Sequence, residues 1–175
     1  MKSSLIRQRT SLQDSVLEEL NKQMAIEAHS SAAYLSMSAW CHVQGLVGCA
    51  HYFKKQSGEE REHQLRIFDY VTGMGALAVS PEVRGVEANF EGLRNIFELA
   101  LDMEIAITER FNFMTELCHK NKDYQTAKFL QWYLDEQMEE EENARRCLEL
   151  FDLITPANDG LYQIDKAVAK LNSAE

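Results

Sequence analysis

The chain has 175 residues, 45% of them hydrophobic, which is enough to bury one substantial core, and Met, Leu and Ala outweigh the β-branched residues that a sheet would favour. With 28 Asp and Glu against 18 Lys and Arg, the formal charge is -10, which argues against nucleic acid or an anionic membrane as partner and favours dissolved cations or another protein. Cys41, Cys49, Cys118 and Cys147 form no CxxC pair, no run of 18 apolar residues occurs, and the start MKSSLIRQRT leads into no apolar signal segment, so a soluble cytoplasmic protein is expected.

Residues 1–10 read as a flexible tail, leaving 11–175 as a single domain. The helical period predicts helices over residues 11–42, 48–73, 90–121 and 123–154, with a shorter one over 160–171. The turns VQGLVG and NKD are brief, so the first and second helices should form one antiparallel hairpin and the third and fourth another. Residues 74–89, MGALAVSPEVRGVEAN, hold two glycines and a proline and are too long for a hairpin turn. They suit a crossover running the length of an all-α bundle.

Each long helix carries an inward stripe at spacings of three and four. The first reads Leu17, Leu20, Met24, Glu27, Ser31, Tyr34, Ser38, Cys41, and the second Phe53, Gln56, Glu60, His63, Ile67, Tyr70, Met74. The third reads Phe97, Ala100, Glu104, Ile107, Phe111, Met114, Cys118, and the fourth Leu130, Tyr133, Gln137, Glu140, Ala144, Cys147, Phe151. Every stripe is interrupted near its middle by polar residues. Glu27 and His63 each lie 18 residues from a turn at residue 45, and Glu104 and Glu140 each lie 18 from a turn at 122, so all four sit roughly 27 Å from their turns. An internal offset of 77 relates Glu27 to Glu104, Glu60 to Gln137, His63 to Glu140 and Cys41 to Cys118, as if two similar hairpins faced each other across a pseudo-two-fold axis.

Four carboxylates meeting in a dry core repel one another unless they are protonated or neutralised. Two divalent cations would balance them, and an oxygen-rich set with one imidazole suits iron(II) or manganese(II) better than a thiolate-loving zinc site. Glu60 and His63, three apart on one helix, point to the same side, so Glu60 could bridge two metals while His63 binds one.

With EEREH, FLQWYLDEQMEEE and GLYQIDK at these places, the sequence from about residue 17 to 171 resembles the ferritins, specifically the haem-free bacterial ferritins. A Glu-x-x-His motif on facing helices is the known signature of such di-iron bundles. The resemblance implies a ferritin-like four-helix bundle with a long crossover and a short fifth helix. It implies that Glu27, Glu60, His63 and Glu104 hold one iron and that Glu60, Glu104 and Gln137 help hold a second, with Tyr34 beside the centre. Glu59, Glu136, Glu139 and Glu140 would form a third iron site. It further implies a ferroxidase that oxidises iron(II) with O2 or H2O2 and stores ferric mineral inside a homo-oligomeric cage of 24 subunits. Arg61 follows Glu60 where bacterioferritins carry a haem-binding methionine, and the fourth helix reads Gln137-x-x-Glu140 rather than Glu-x-x-His, so neither haem nor a symmetric centre is expected. The alternatives are a di-iron oxidase or peroxidase of rubrerythrin type, although no CxxC module is present, a redox-inert structural cage, and a DNA-protecting mini-ferritin, which would lack the fifth helix. Glu141 and Glu142 read as a solvated acidic face, and His29, His42, His51 and His119 as surface or helix-end residues.

Overall fold

The structure, a computed structural model, describes residues 9–155 and 159–171. Most of the expected tail and Pro156 lie outside the described residues. The described residues form α1 (Asp14–Val43), α2 (Val47–Gly73), α3 (Leu93–Lys120), α4 (Tyr124–Leu153) and α5 (Gly160–Leu171). The first four make a bundle of two antiparallel hairpins, and α5 packs across one end against α2 and α4.

Helix boundaries follow local chemistry. α1 begins three residues later than the periodicity suggests, after Gln13, with Asp14 in the first turn where an acid complements the helix dipole. α3 begins at Leu93 rather than Phe90 because Gly92 holds extended backbone. The α1–α2 and α3–α4 turns close in the same way: Leu46 N–H bonds Cys41 O at 2.9 Å, and Asp123 N–H bonds Cys118 O at 2.8 Å. Each needs a left-handed residue one place earlier, supplied by Gly45 (φ 76°) and Lys122 (φ 57°). The helices that follow are capped differently. Asp123 accepts from Thr126 N–H at 3.0 Å, so α4 caps itself. Leu46 offers α2 no side-chain cap, and Asp165 of α5 supplies one, accepting from Gly48 N–H at 3.1 Å and Cys49 N–H at 2.8 Å. Gly48 is required here, since a Cβ would stand 2.3 Å from the Asp165 carbonyl oxygen.

On α5, Ile164 and Val168 are buried, Leu161 is 37% exposed, and Asp165 takes a buried place. On α1, Val16 and Ser30 are buried while Leu17 and Ser31 are half-buried. Ser31 instead ties the first hairpin together, donating to Ser57 O at 2.7 Å while Ser57 donates to Ser31 O at 2.7 Å.

The crossover runs along α1. Val79 N–H donates to Asn21 Oδ1 at 2.7 Å near one end, and Ser36 Oγ donates to Glu87 O at 2.6 Å farther along. The core falls into two apolar clusters. One, next to α5, holds Met37, Cys41, Cys49, Phe53, Phe97 and Cys147; the other, toward the α3–α4 turn, holds Leu20, Met24, Ile67, Ile107, Phe111 and Leu130. A polar layer lies between them.

Candidate metal centre

Glu27, Glu60, His63, Glu104, Gln137 and Glu140 are all buried, from 0% exposed at Glu27 to 8% at Glu140. Four helices thus bring six polar side chains into the interior of the bundle. Ligand atoms of Glu27, Glu60 and His63 lie within 4.8 Å of one another, and so do those of His63, Glu136 and Glu140. The imidazole thus stands between two potential cation positions.

Glu27 and Glu60 come from α1 and α2 and are incompletely satisfied. Gln23 Nε2 donates to Glu27 Oε1 at 3.0 Å, but Glu27 Oε2 and Glu60 Oε2 are buried without a hydrogen-bond partner. Glu60 Oε2 lies 3.5 Å from His63 Nδ1. Burial first, and the facing Glu60 second, push the Glu27 carboxyl well above its usual range. Burial and then Glu104 do the same to Glu60. Two facing buried carboxylates want either a shared proton or a cation between them.

Glu104, from α3, is in a gentler position. Burial raises it, but the Tyr34 hydroxyl and the Gln137 amide both donate to its carboxylate and oppose the shift. Gln137 Nε2 also reaches the Glu104 backbone oxygen at 3.2 Å. Gln137 thus joins the layer with its amide nitrogen turned to Glu104, leaving Oε1 as the atom it could offer a metal. The Tyr34 hydroxyl is held well above its usual range by burial and by the Glu104 charge, so it remains a neutral donor. Tyr133 fixes the α2 backbone beside the site by donating to His63 O at 2.9 Å.

On one side the layer opens into a pocket lined by Glu59, Glu136, Glu139 and Glu140 together with Lys55 and Gln56. All four acids expected of the third site therefore share one pocket. Glu136 is raised by partial burial, opposed by His63. A second opening, lined in part by Glu59, Glu62, Asp69 and Trp132, also reaches His63. Trp132 lies edge-on to the imidazole at 5.5 Å, and the Arg66 guanidinium covers its ring at 3.9 Å. Glu141 departs from the solvated-face reading: its side chain is 22% exposed, and it accepts from Thr108 Oγ1 at 2.7 Å and Arg145 at 3.1 Å. His42, His51 and His119 are exposed and His29 is half-buried, away from the layer.

Two buried glutamines escaped the sequence reading as functional residues. Gln23, four residues before Glu27, reaches that acid along its own helix face, whereas Gln56, four before Glu60, reaches Glu59 on its own helix and Glu140 on α4. Gln56 Nε2 donates to Glu59 Oε2 at 2.8 Å and to Glu140 Oε2 at 2.9 Å. A polar residue one turn before each interrupting acid is the signal that would have found them.

A long-crossover four-helix bundle with a short fifth helix and a carboxylate–imidazole layer defines a class of protein, and the comparisons agree. The family profile described as a ferritin-like domain matches residues 17–154, and the chain belongs to the ferritin family. It is 35% identical over 162 residues to the bacterial non-heme ferritin of Escherichia coli, covering 93% of this chain and 98% of that one. It is 34% identical over 158 residues to the bacterial non-heme ferritin of Staphylococcus saprophyticus, covering 90% and 95%. Among solved structures, a novel open pore ferritin from Archaeoglobus fulgidus superposes with a TM-score of 0.88 at 31% identity, over 91% of this chain and 97% of that chain. No helix among the described residues is long and apolar enough to cross a membrane.

Proposed function

We propose that this protein is an iron-storage ferritin with ferroxidase activity. The observation that carries the proposal is the pair of buried, unpartnered oxygens, Glu27 Oε2 and Glu60 Oε2, facing each other beside His63. Leaving two carboxylate oxygens dry and unpaired costs about 1–3 kcal/mol each, a cost that a bound cation removes. Iron is the substrate. Glu27, Glu60 and His63 would take the first iron(II), with Glu104 completing its shell. Glu60, Glu104 and the Gln137 amide oxygen would take the second, with Glu140 adjoining. Two iron(II) ions give up one electron each, O2 accepts the pair with two protons and leaves as H2O2, and H2O2 in turn can accept one electron from each of two further iron(II) ions, with two protons, to give two water molecules. Tyr34 holds Glu104 in place and stands close enough to exchange an electron or proton with the centre. Iron(III) would then pass through the pocket of Glu59, Glu136, Glu139 and Glu140 to a ferric mineral.

Storage requires an enclosed volume, and we assign a homo-oligomeric cage, of 24 subunits by the family resemblance. The exposed Leu161 and Tyr162 on α5 support this, since a short helix with apolar residues left in water is poorly stable without a neighbour. Rubrerythrin-type chemistry draws no support from a layer whose fourth helix offers Gln137 where a fixed di-iron cofactor would use a carboxylate. The test is iron(II) addition without oxygen, then oxygen, followed by ferric absorbance and particle size. Tight binding of two iron(II) per chain, a fast oxidation burst and a mineral-filled particle far larger than one chain are expected. Oxidation no faster than in buffer alone, or a particle of single-chain mass, overturns the assignment.

A further inference from the structure

The acidic pocket beside the centre contains its own cation. Of the side chains that line it among the described residues, Lys55 alone is basic. Its Nζ lies 3.3 Å from Glu59 Oε1, and the side chain is 37% exposed, so the ammonium reaches the pocket from its rim on a flexible stem. The other oxygen of Glu59 is held by Gln56, whose amide nitrogen also holds Glu140. One helical turn of α2 therefore presents an ammonium and an amide to the acids of the pocket, immediately before it presents Glu59 and Glu60. Gln56, buried at 6% exposure, ties the half-buried Glu59 to Glu140, the most buried of the four acids, across the α2–α4 interface.

We propose that Lys55 is a built-in counter-cation that competes with iron for this pocket, and that Gln56 is the positioning residue that keeps Glu59 and Glu140 facing one another while it does so. The proposal rests on the reading that the pocket receives iron from the di-iron centre. A multivalent cation bound by Glu59 must push the ammonium aside, and the repulsion between the two charges shortens its stay. Four glutamates without that competitor would form a trap; with it they form a relay, in which iron(III) arriving from the centre leaves for the mineral and the returning ammonium restores charge balance. Lysine suits the task because its single point charge can swing away, whereas the planar arginine fork would tend to hold a carboxylate by two parallel bonds.

Terbium(III), a redox-inert trivalent probe whose emission is sensitised by nearby tyrosine and tryptophan, reads the pocket directly. The assembled wild type, K55Q, K55R and Q56L would be titrated, each also in an E136Q/E139Q background. K55Q should bind terbium at the pocket about tenfold more tightly than wild type at moderate salt, with the gain shrinking as salt rises. K55R, which keeps the charge and can hold Glu59 more firmly, should bind terbium no more tightly than wild type. Q56L should weaken binding whether or not Lys55 is present. In the E136Q/E139Q background the K55Q gain should vanish, because the coupling belongs to the pocket rather than to the di-iron centre. A K55Q affinity within about twofold of wild type, a K55R affinity as tight as K55Q, or a gain that survives E136Q/E139Q overturns the proposal. Wild-type iron oxidation is scored separately: its absence sinks the storage reading and leaves the terbium result standing, whereas rapid oxidation without a K55Q gain sinks only the role of Lys55.

Discussion

The α1–α2 and α3–α4 hairpins correspond residue by residue at an offset of 77, yet they bring unequal chemistry to the layer they share. Glu104 of the second hairpin receives a hydroxyl from Tyr34 and an amide from Gln137. Under the same offset Tyr34 corresponds to Phe111, which has no hydroxyl and stacks on Tyr133 at 4.5 Å. The counterpart acid Glu27 accepts from Gln23, and among the described residues its other oxygen is left dry. The counterpart of Glu60 is the neutral Gln137. Unsatisfied charge is thus concentrated on the first hairpin, where Glu27, Glu60 and His63 converge, while on the second Glu104 accepts from Tyr34 and Gln137, and Glu140 from Gln56. Equal folds hold the level, and unequal side chains decide that one cation position should be strong and the other weak.

Removing the strong half should have the largest effect. Glu60→Ala with His63→Ala should lower the initial iron oxidation rate by about 100-fold or more while the particle keeps its size, since losing Glu60 also relieves its repulsion with Glu27 and Glu104 in the iron-free protein. Stopped-flow absorbance and size-exclusion chromatography check both parts, and an unchanged burst would place catalysis elsewhere. Next in size is the metal-free stability. Glu27→Gln removes the charge opposite Glu60 and should stabilise the iron-free protein at neutral pH by about 2 kcal/mol. The sign follows from the raised carboxyls. The folded state holds their protons more tightly than the unfolded state, whose ordinary value is 4.5. Wild-type stability from this source is therefore greatest below 4.5 and declines as pH rises from there through the raised folded values. Thermal melts of iron-free wild type and Glu27→Gln across pH 5 to 8 should diverge as pH rises; parallel curves would show that Glu27 carries no such strain.

A smaller effect is expected where the weak half is strengthened. Gln137→Glu gives the second hairpin the carboxylate that the offset assigns it, and should tighten the second iron about tenfold. It should also slow later oxygen pulses more than the first, and equal later turnovers would show that release is governed elsewhere. The smallest effect concerns the turns. Gly45 and its counterpart Lys122 both hold left-handed backbone, which costs a lysine more than a glycine. Lys122→Gly should therefore be neutral to stabilising, by up to about 1 kcal/mol, while Gly45→Lys destabilises by a similar amount. Melting temperatures that move the other way would remove backbone strain as a difference between the hairpins.

The bundle was legible because its signals are periodic. An apolar stripe broken at the same height on four helices survives errors of a few residues at each helix end, as the late starts of α1 and α3 show. Glu27, Glu60, His63, Glu104, Gln137 and Glu140 were visible because charge on an apolar stripe is conspicuous. Gln23 and Gln56 were not read as functional, since a glutamine is unremarkable beside a glutamate until distances show which atoms meet. Asp165 was missed for a different reason: Leu161 fits a period-based stripe on α5 better than an aspartate does. Its burial depends on the α2 N-terminus more than 110 residues away in sequence, which no local pattern reports.

That distant cap bears on the order of events during synthesis. The α1–α2 hairpin leaves the ribosome before α3, α4 and α5 and closes through local contacts, yet the first N–H groups of α2 wait for Asp165, made more than 110 residues later. Gly48 leaves the gap into which α5 must slide. The earliest element to form is therefore finished last, and a chain that stopped after α4 would carry an intact polar layer beneath an unsealed end.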